Sequence, residues 1–206
     1  MKRQHLSVEQ AIKMYNLPDF GLCTEDLAIL RSFITTQAKV RIYQKYEELA
    51  TIDHNQPQYL YIVLQGLVHS YYRCLRVDRL WGQHVWYRHD CIYLATPDKD
   101  SKAEKYHIQA LEAMTIVIVL PWQAIPALVK QIPQMKKVIK KLHRSLRKEE
   151  QHYHYRNSLA AKHRVQLFLE RHATLLHRTS QEVCAMHNQL SRHWYSKVLA
   201  ELKTSS

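Results

Sequence analysis

Hydrophobic spacing in this chain changes period twice, from helical to strand-like and back to helical, so neither an all-helical nor an all-strand fold can accommodate it. Near the N-terminus, Leu6, Ala11, Ile12 and Tyr15 share one helical face, and residues 5–36 read as helix with a break at Leu17-Pro18. A second segment opens at Thr24-Glu25-Asp26, where Thr24 is placed to cap the first turn; Leu27, Leu30, Phe33 and Ile34 form its stripe. After Ala38 the apolar residues gather in short β-branched and aromatic runs: Val40, Ile42, Tyr59 to Leu64, Val68, Tyr71, Val85 to Tyr87, Ile108, and Met114 to Leu120. Polar stretches at 53–57 and 96–100 separate them. Strands this short at this spacing predict a small barrel or sandwich of about 80 residues.

Helical spacing returns near Trp122. Ile125, Leu128, Val129, Ile132, Met135, Val138, Ile139, Leu142 and Leu146 recur at three- and four-residue steps. Pro126 suits a helix start, whereas Pro133 must kink or interrupt the helix. One narrow apolar stripe among Lys and Arg has two readings: a seam to a second copy over residues 122–156, or packing on the chain's own barrel. Three further helices are expected, at 159–172, 180–187 and 191–202.

Charge follows the same division. The whole chain carries 30 Lys and Arg against 18 Asp and Glu, for a net +12. Residues 136–206 hold 15 of those cations and 5 of the acids, so +10 lies in the last third. A near-neutral strand-rich part joined to a basic helical part reads as a sensor or scaffold attached to a polyanion-binding module. Four widely spaced cysteines lack any C-x-x-C pair and read as free thiols of a reducing compartment. With no apolar leader and no apolar run near the roughly 20 residues needed to span a bilayer, a cytoplasmic protein without membrane contact is expected.

Catalytic signatures are missing: no Gly-rich phosphate loop, no G-x-S-x-G and no H-E-x-x-H. Glu149-Glu150 on a basic helix reads as local salt bridging, so an enzyme is not expected. The 14 histidines include His152 and His154, which diverge by about 200° on a helix and cannot clamp one metal. His143 and His187 are isolated in sequence. Exposed histidines interleaved with basic residues, without metal or cofactor, are the expectation.

Segments 180–187 and 191–202, joined by His187-Asn188-Gln189-Leu190, have the proportions of a helix-turn-helix. Ala185 is small where the second helix must approach, Leu190 can plug the core between them, and Ser191 is a good N-cap. A basic helix of this size fits the major groove with its N-terminal side chains at base edges. Arg192, His193, Ser196 and Lys197 are then candidate readers; an ordinary helical hairpin with a solvated basic face is the alternative.

Tyr59-Leu60-Tyr61-Ile62-Val63-Leu64-Gln65-Gly66-Leu67-Val68 resembles the strand–Gly–strand signature of cyclic-nucleotide-binding barrels, and Tyr106 to Glu112 resembles the penultimate strand of that barrel. The tail, with Arg164, Phe168-Leu169-Glu170-Arg171-His172, Leu175-Leu176, Arg178, Ser180-Gln181-Glu182, Ala185 and Leu190-Ser191 to Lys197, resembles the helix-turn-helix end of Crp/Fnr-type transcription regulators, in their short Bacteroidetes-like branch. Barrel, long helix and terminal helix-turn-helix, in that order, cover nearly the whole chain.

The resemblance implies an α+β fold: a small jelly-roll-like barrel (double-stranded β-helix) with N-terminal helices, a long dimerisation helix and a C-terminal helical domain. It divides the chain at 1–121, 122–156 and 157–206. It also implies a homodimer on a pseudo-palindromic site in double-stranded DNA, with Arg192, Ser196 and Lys197 facing bases and Ser180, Gln181, Lys162 and Arg164 facing phosphates. Without a wing after the recognition helix, phosphate contacts fall to Arg178, Lys162 or Arg164.

Two departures from the family pattern qualify this. Its phosphate-binding Gly-Glu step falls on Tyr93-Leu94, and its Arg-Ser/Thr pair on Glu104-Lys105. An acid where phosphate needs a cation argues against cyclic AMP; Tyr93, Lys102, Glu104 and Lys105 would line the site of some other small-molecule effector. The turn carries Gln189 where many members have Gly, at a cost of order 1 kcal/mol if φ is positive. An alternative function is therefore a sensor or protein-interaction dimer that has lost specific DNA binding.

Overall fold

The computed structural model describes residues 6–52, 58–93 and 106–204. Two short helices, α1 (Val8–Tyr15) and α2 (Thr24–Gln37), precede eight strands. Ser7 caps α1 in a reciprocal pair with Gln10. The cap of α2 is Cys23, whose Sγ accepts from the Asp26 amide at 3.5 Å; the expected cap, Thr24, is instead the first helical residue.

The strands are β1 (Lys39–Tyr43), β2 (Glu48–Ile52), β3 (Tyr59–Gln65), β4 (Val68–Cys74), β5 (Arg79–Trp86), β6 (Cys91–Ile92), β7 (Tyr106–Ala110) and β8 (Thr115–Pro121). They form two antiparallel four-stranded sheets, ordered β1-β8-β3-β6 and β2-β7-β4-β5, which is a jelly roll. The uninterrupted apolar runs of β3 and β8 have a direct cause: both strands are covered on two faces. Tyr61, Val63, Val117 and Val119 point between the sheets, where they meet Val68, Trp86, Ile108 and Ala110. Leu60, Ile62, Leu64, Ile116 and Ile118 alternate with them and pack outward, against Leu30, Phe33 and Ile34 of α2. Gly66 makes the β3–β4 corner at φ +95, and a Cβ there would lie 2.4 Å from Thr115 Oγ1 and 2.9 Å from Thr115 Cα. Only glycine fits so close an approach.

After β8 the helical stretch is divided. A 3-10 turn (Trp122–Ala124) leads into α3 (Ile125–Gln131), and α4 (Met135–Ser158) begins beyond Pro133. Ile132 caps α3 with extended backbone, so the proline interrupts rather than kinks. The apolar stripe turns largely onto the chain itself: Met135 and Val138 are buried against the first sheet's outer cluster, with Ile139 and Leu142 half-buried beside them.

The C-terminal helices are α5 (Ala161–Arg171), α6 (Leu175–Arg178), α7 (Gln181–His187) and α8 (Arg192–Thr204). The single turn of α6 was not separable in sequence. Val165, Phe168, Leu175, Val183, Cys184, Ala185, Tyr195 and Val198 form their core, which extends onto Leu67 and Leu111 of the barrel. All four cysteines are free, two of them buried and Cys23 exposed. Among the described residues no helix is long and apolar enough to cross a membrane.

Candidate nucleic-acid interface

Local chemistry fixes both helices of the α7–turn–α8 unit. Ser180 caps α7, its hydroxyl accepting from the Val183 amide at 3.3 Å. Ser191 does the same for α8, accepting from the Trp194 amide at 3.2 Å. Between them the amides of Asn188, Gln189 and Leu190 donate to carbonyls of α7, and Asn188 Nδ2 donates to the Cys184 carbonyl at 2.8 Å. Gln189 takes φ +54, the left-handed geometry expected where glycine is absent. Its side chain is anchored, with Nε2 donating to the Tyr153 hydroxyl at 3.1 Å.

Tyr195 and Val198 hold α8 in the core, while Ala185, 2% exposed, permits the close crossing of α7. Arg192, His193 and Lys197 are exposed on the other side of α8. Ser196 is half-buried, and its Oγ donates to Gln181 Oε1 at 3.1 Å, so these two predicted contacts meet each other across the helix pair. Trp194 is 55% exposed, and Lys197 Nζ sits 5.0 Å from the centre of its ring. Of the two bulky aromatics on this helix, Tyr195 is core and Trp194 is surface.

The predicted phosphate contacts are dispersed. Lys162 is exposed on the first turn of α5. Arg164 is half-buried, directs Nη1 to the Asn157 carbonyl at 3.4 Å, and burial lowers its pKa. Ser180 is occupied as a helix cap. Arg178 is held by Glu112, in the turn after β7, through two bonds of 2.8 and 2.7 Å, so it joins the helical unit to the barrel rather than presenting its charge to phosphate.

That ion pair borders a larger seam, in which α7 lies on the outer face of β4 and β5. His187 is fully buried there, with Nε2 3.1 Å from His69 Nδ1. Its carbonyl accepts from Arg156 Nη2 of α4 at 2.9 Å. A Cβ on Gly82 would stand 2.5 Å from the His187 ring, so this glycine creates the space α7 occupies. Arg156 is itself 3% exposed, between the rings of Tyr153 and Phe168, and burial lowers its pKa to about 10. Burial likewise lowers His69 and His84 to about 4, and drives His172 and His187 down too, with Arg156 adding to the effect on His84, His172 and His187. The expected exposed set of histidines is thus partly wrong: His69, His84 and His187 are buried. Nothing in their sequence spacing announces this, because β4, β5 and α7 are joined only by the fold. The one available signal was Gly82, inside a strand with no turn to make.

A cavity of about 320 Å³ lies where the barrel, α4 and α5 meet, between Trp86, Tyr87, Tyr93, Leu146, Glu149 and Arg171. Asp90 faces it, its carboxylate accepting from the Tyr87 amide at 2.8 Å while burial raises its pKa. Of the four residues expected to line an effector site, Tyr93 is at this cavity, stacked on Trp122 at 3.9 Å. Lys102, Glu104 and Lys105 lie outside the described residues. Among the described residues no group of three or more His, Cys, Asp or Glu side chains is arranged to hold a metal ion.

No protein-family model matches the sequence, and no curated protein matches it. Solved structures match the fold across most of the chain. FixK2 from Bradyrhizobium japonicum is 18% identical, with a TM-score of 0.66 over 82% of this chain and 85% of that one. A CRP-family transcriptional regulator from Thermus thermophilus is 20% identical, with a TM-score of 0.60 over 80% of this chain and 85% of that one. A cyclic nucleotide-binding domain containing protein from Listeria monocytogenes is 10% identical, with a TM-score of 0.69 over 87% of this chain and 91% of that one. At such identities the likeness is one of fold: jelly roll, long helix and C-terminal helices are arranged as in Crp/Fnr-type regulators.

Proposed function

We propose that this chain is a DNA-binding transcription regulator of the Crp/Fnr type, acting as a homodimer that places one α8 in each half of a pseudo-palindromic site. The observation that carries the reading is α8 itself. It is capped at its N-terminus, anchored by Tyr195 and Val198, and exposes Arg192, His193 and Lys197 together in the basic third of the chain. Arg192 and Lys197 would meet base edges, Ser196 would serve a base or phosphate beside Gln181, and Lys162 would neutralise backbone charge. Arg178 leaves the phosphate set because Glu112 holds it. Three parts follow: a sensor domain to residue 121, a dimerisation segment over 122–156 and a DNA-binding domain beyond. Ile139, Leu142 and Leu146 stay half-buried in one copy, which leaves apolar surface for a second α4.

Control by cyclic AMP is not part of the proposal. Tyr43, Tyr61 and Trp86 fill the space between the sheets, and Tyr93 stacks on Trp122 where the nucleotide-binding pattern requires glycine. Any small-molecule effector would act at the junction cavity, which touches the barrel, α4 and α5 at once. Selection of randomised duplex DNA by the purified protein, repeated at two salt concentrations, tests the reading. A two-fold symmetric motif that survives the higher salt is expected; salt-sensitive binding without a motif, or none, would overturn operator reading and leave a sensor or interaction dimer.

A further inference from the structure

His69 on β4 and His187 on α7 meet across the seam, while His84 on β5 and His172 after α5 line the neighbouring junction cavity, His172 Nδ1 standing 3.0 Å from the Tyr87 hydroxyl. The hydrogen bonds assign their protons. Gln109 is anchored by Nε2 donating to the Tyr46 carbonyl, so its Oε1, 3.1 Å from His69 Nε2, is an acceptor and that nitrogen carries hydrogen. His69 Nδ1 is therefore a lone pair, and it accepts from His187 Nε2–H at 3.1 Å. His187 Nδ1 is left bare, and it is buried without a partner.

Neither ring has room for another proton. A hydrogen on His69 Nδ1 would confront the His187 Nε2–H, and one on His187 Nδ1 would find no acceptor. The charged surroundings oppose it as well. Around His187 stand the buried Arg156 of α4, His172 just after α5 and His84 on β5, and Arg171 of α5 acts in the same sense on His84 and His172. Two acids line the cavity beside His84 and His172: Glu149 of α4, already paired with Arg171, and Asp90, whose carboxylate accepts from the Tyr87 amide.

We propose that the seam between the barrel and the C-terminal helices is a proton-operated joint, closed while His69 and His187 at its centre, and His84 and His172 beside them, are neutral and opened by their protonation, so that pH sets how the helix-turn-helix sits on the barrel. Leu159-Ala160, extended residues between α4 and α5, supply the hinge. The sign follows from the lowered pKa values. A freed imidazole titrates near its usual value of about 6.5, whereas in the closed seam His69 and His84 resist protonation down to about 4. Closure is therefore complete above pH 6.5 and weakens as pH falls toward 4, by about tenfold per histidine at pH 5.5. The joint stands whether or not α8 reads an operator.

Amide hydrogen exchange on the full chain at pH 7.5 and 5.5, normalised to intrinsic exchange rates, tests this. Peptides from α7 and β5 should lose at least about a hundredfold more protection at pH 5.5 than β3 and β8, which serve as the internal reference. Equal losses in all four would overturn the proposal. The double variant His69→Asn, His187→Gln keeps amides near the bonding nitrogens but cannot titrate, so its pH response should shrink by about a hundredfold; an undiminished response would also overturn it. The wild-type series decides alone if that variant folds poorly. A joint that opens in a protein selecting no DNA motif would sink the regulator reading and leave the joint intact.

Discussion

On the outer face of the first sheet, Leu60, Ile62, Leu64, Ile116 and Ile118 meet Leu30, Phe33 and Ile34 in a cluster built from aliphatic and phenyl groups. On the second sheet the corresponding face carries His69, Tyr71, His107 and Gln109, with His187 and Arg156 brought against it. The first contact rests on area removed from water, which neither pH nor salt near physiological values alters much. The second adds to the apolar core around Leu67 and Leu111 a set of protonation states and directional bonds, which strengthen or fail with small changes in conditions. One barrel thus holds its N-terminal helices by apolar area alone, and its C-terminal helices by apolar area together with bonds that depend on pH.

Phe33→Ala should break the first face hardest, costing about 3–5 kcal/mol of global stability in denaturant titrations, with the midpoint falling and no selective loss at α7. Acidification should divide the faces next. Between pH 7.5 and 5.5 each of the buried His69, His84 and His187 withdraws up to about 1.4 kcal/mol from closure, because their pKa values are lower in the closed state. The cost of a first-face substitution, by contrast, should be the same at both pH values in differential scanning calorimetry. Gly82→Ala should come third. Its new methyl meets the His187 ring and should lift α7 at neutral pH for about 1–3 kcal/mol, seen as protease cleavage near Leu159-Ala160 while the barrel still melts cooperatively. The smallest effect should come from Arg178 and Glu112, whose side chains are 33% and 27% exposed. A double-mutant cycle read by the same protease assay should give about 1 kcal/mol of coupling or less, reduced at high salt.

The first face was legible in sequence because its signal is periodic: Leu27, Leu30, Phe33 and Ile34 on a helix, and unbroken apolar runs at Tyr59 to Leu64 and Met114 to Leu120. The helix-turn-helix was legible for a related reason, since Ala185, Leu190 and Ser191 act within a short stretch and each has a local cause. The division of the long helix followed from Pro133. The second face offered no such pattern. His69 and His187 are 118 residues apart, and a lone histidine in a strand looks the same whether water or another imidazole covers it. The pairing of Arg178 with Glu112 was hidden likewise, because an arginine in a basic tail gives no sign that a barrel carboxylate stands opposite. Contacts made by a few directional groups far apart in sequence leave no periodic trace, however well defined they are in space.

The strand order carries a consequence for how the chain is made. Lys39 at the start of β1 pairs with Val119 of β8, roughly 80 residues later, so the first sheet cannot close while the ribosome still holds β8. By then α2 has long been synthesised with its apolar stripe uncovered, and β3 has only the brief β6 beside it. For that interval the nascent chain exposes the surface that later makes its most durable contact, and it is then that a chaperone would have most to hold.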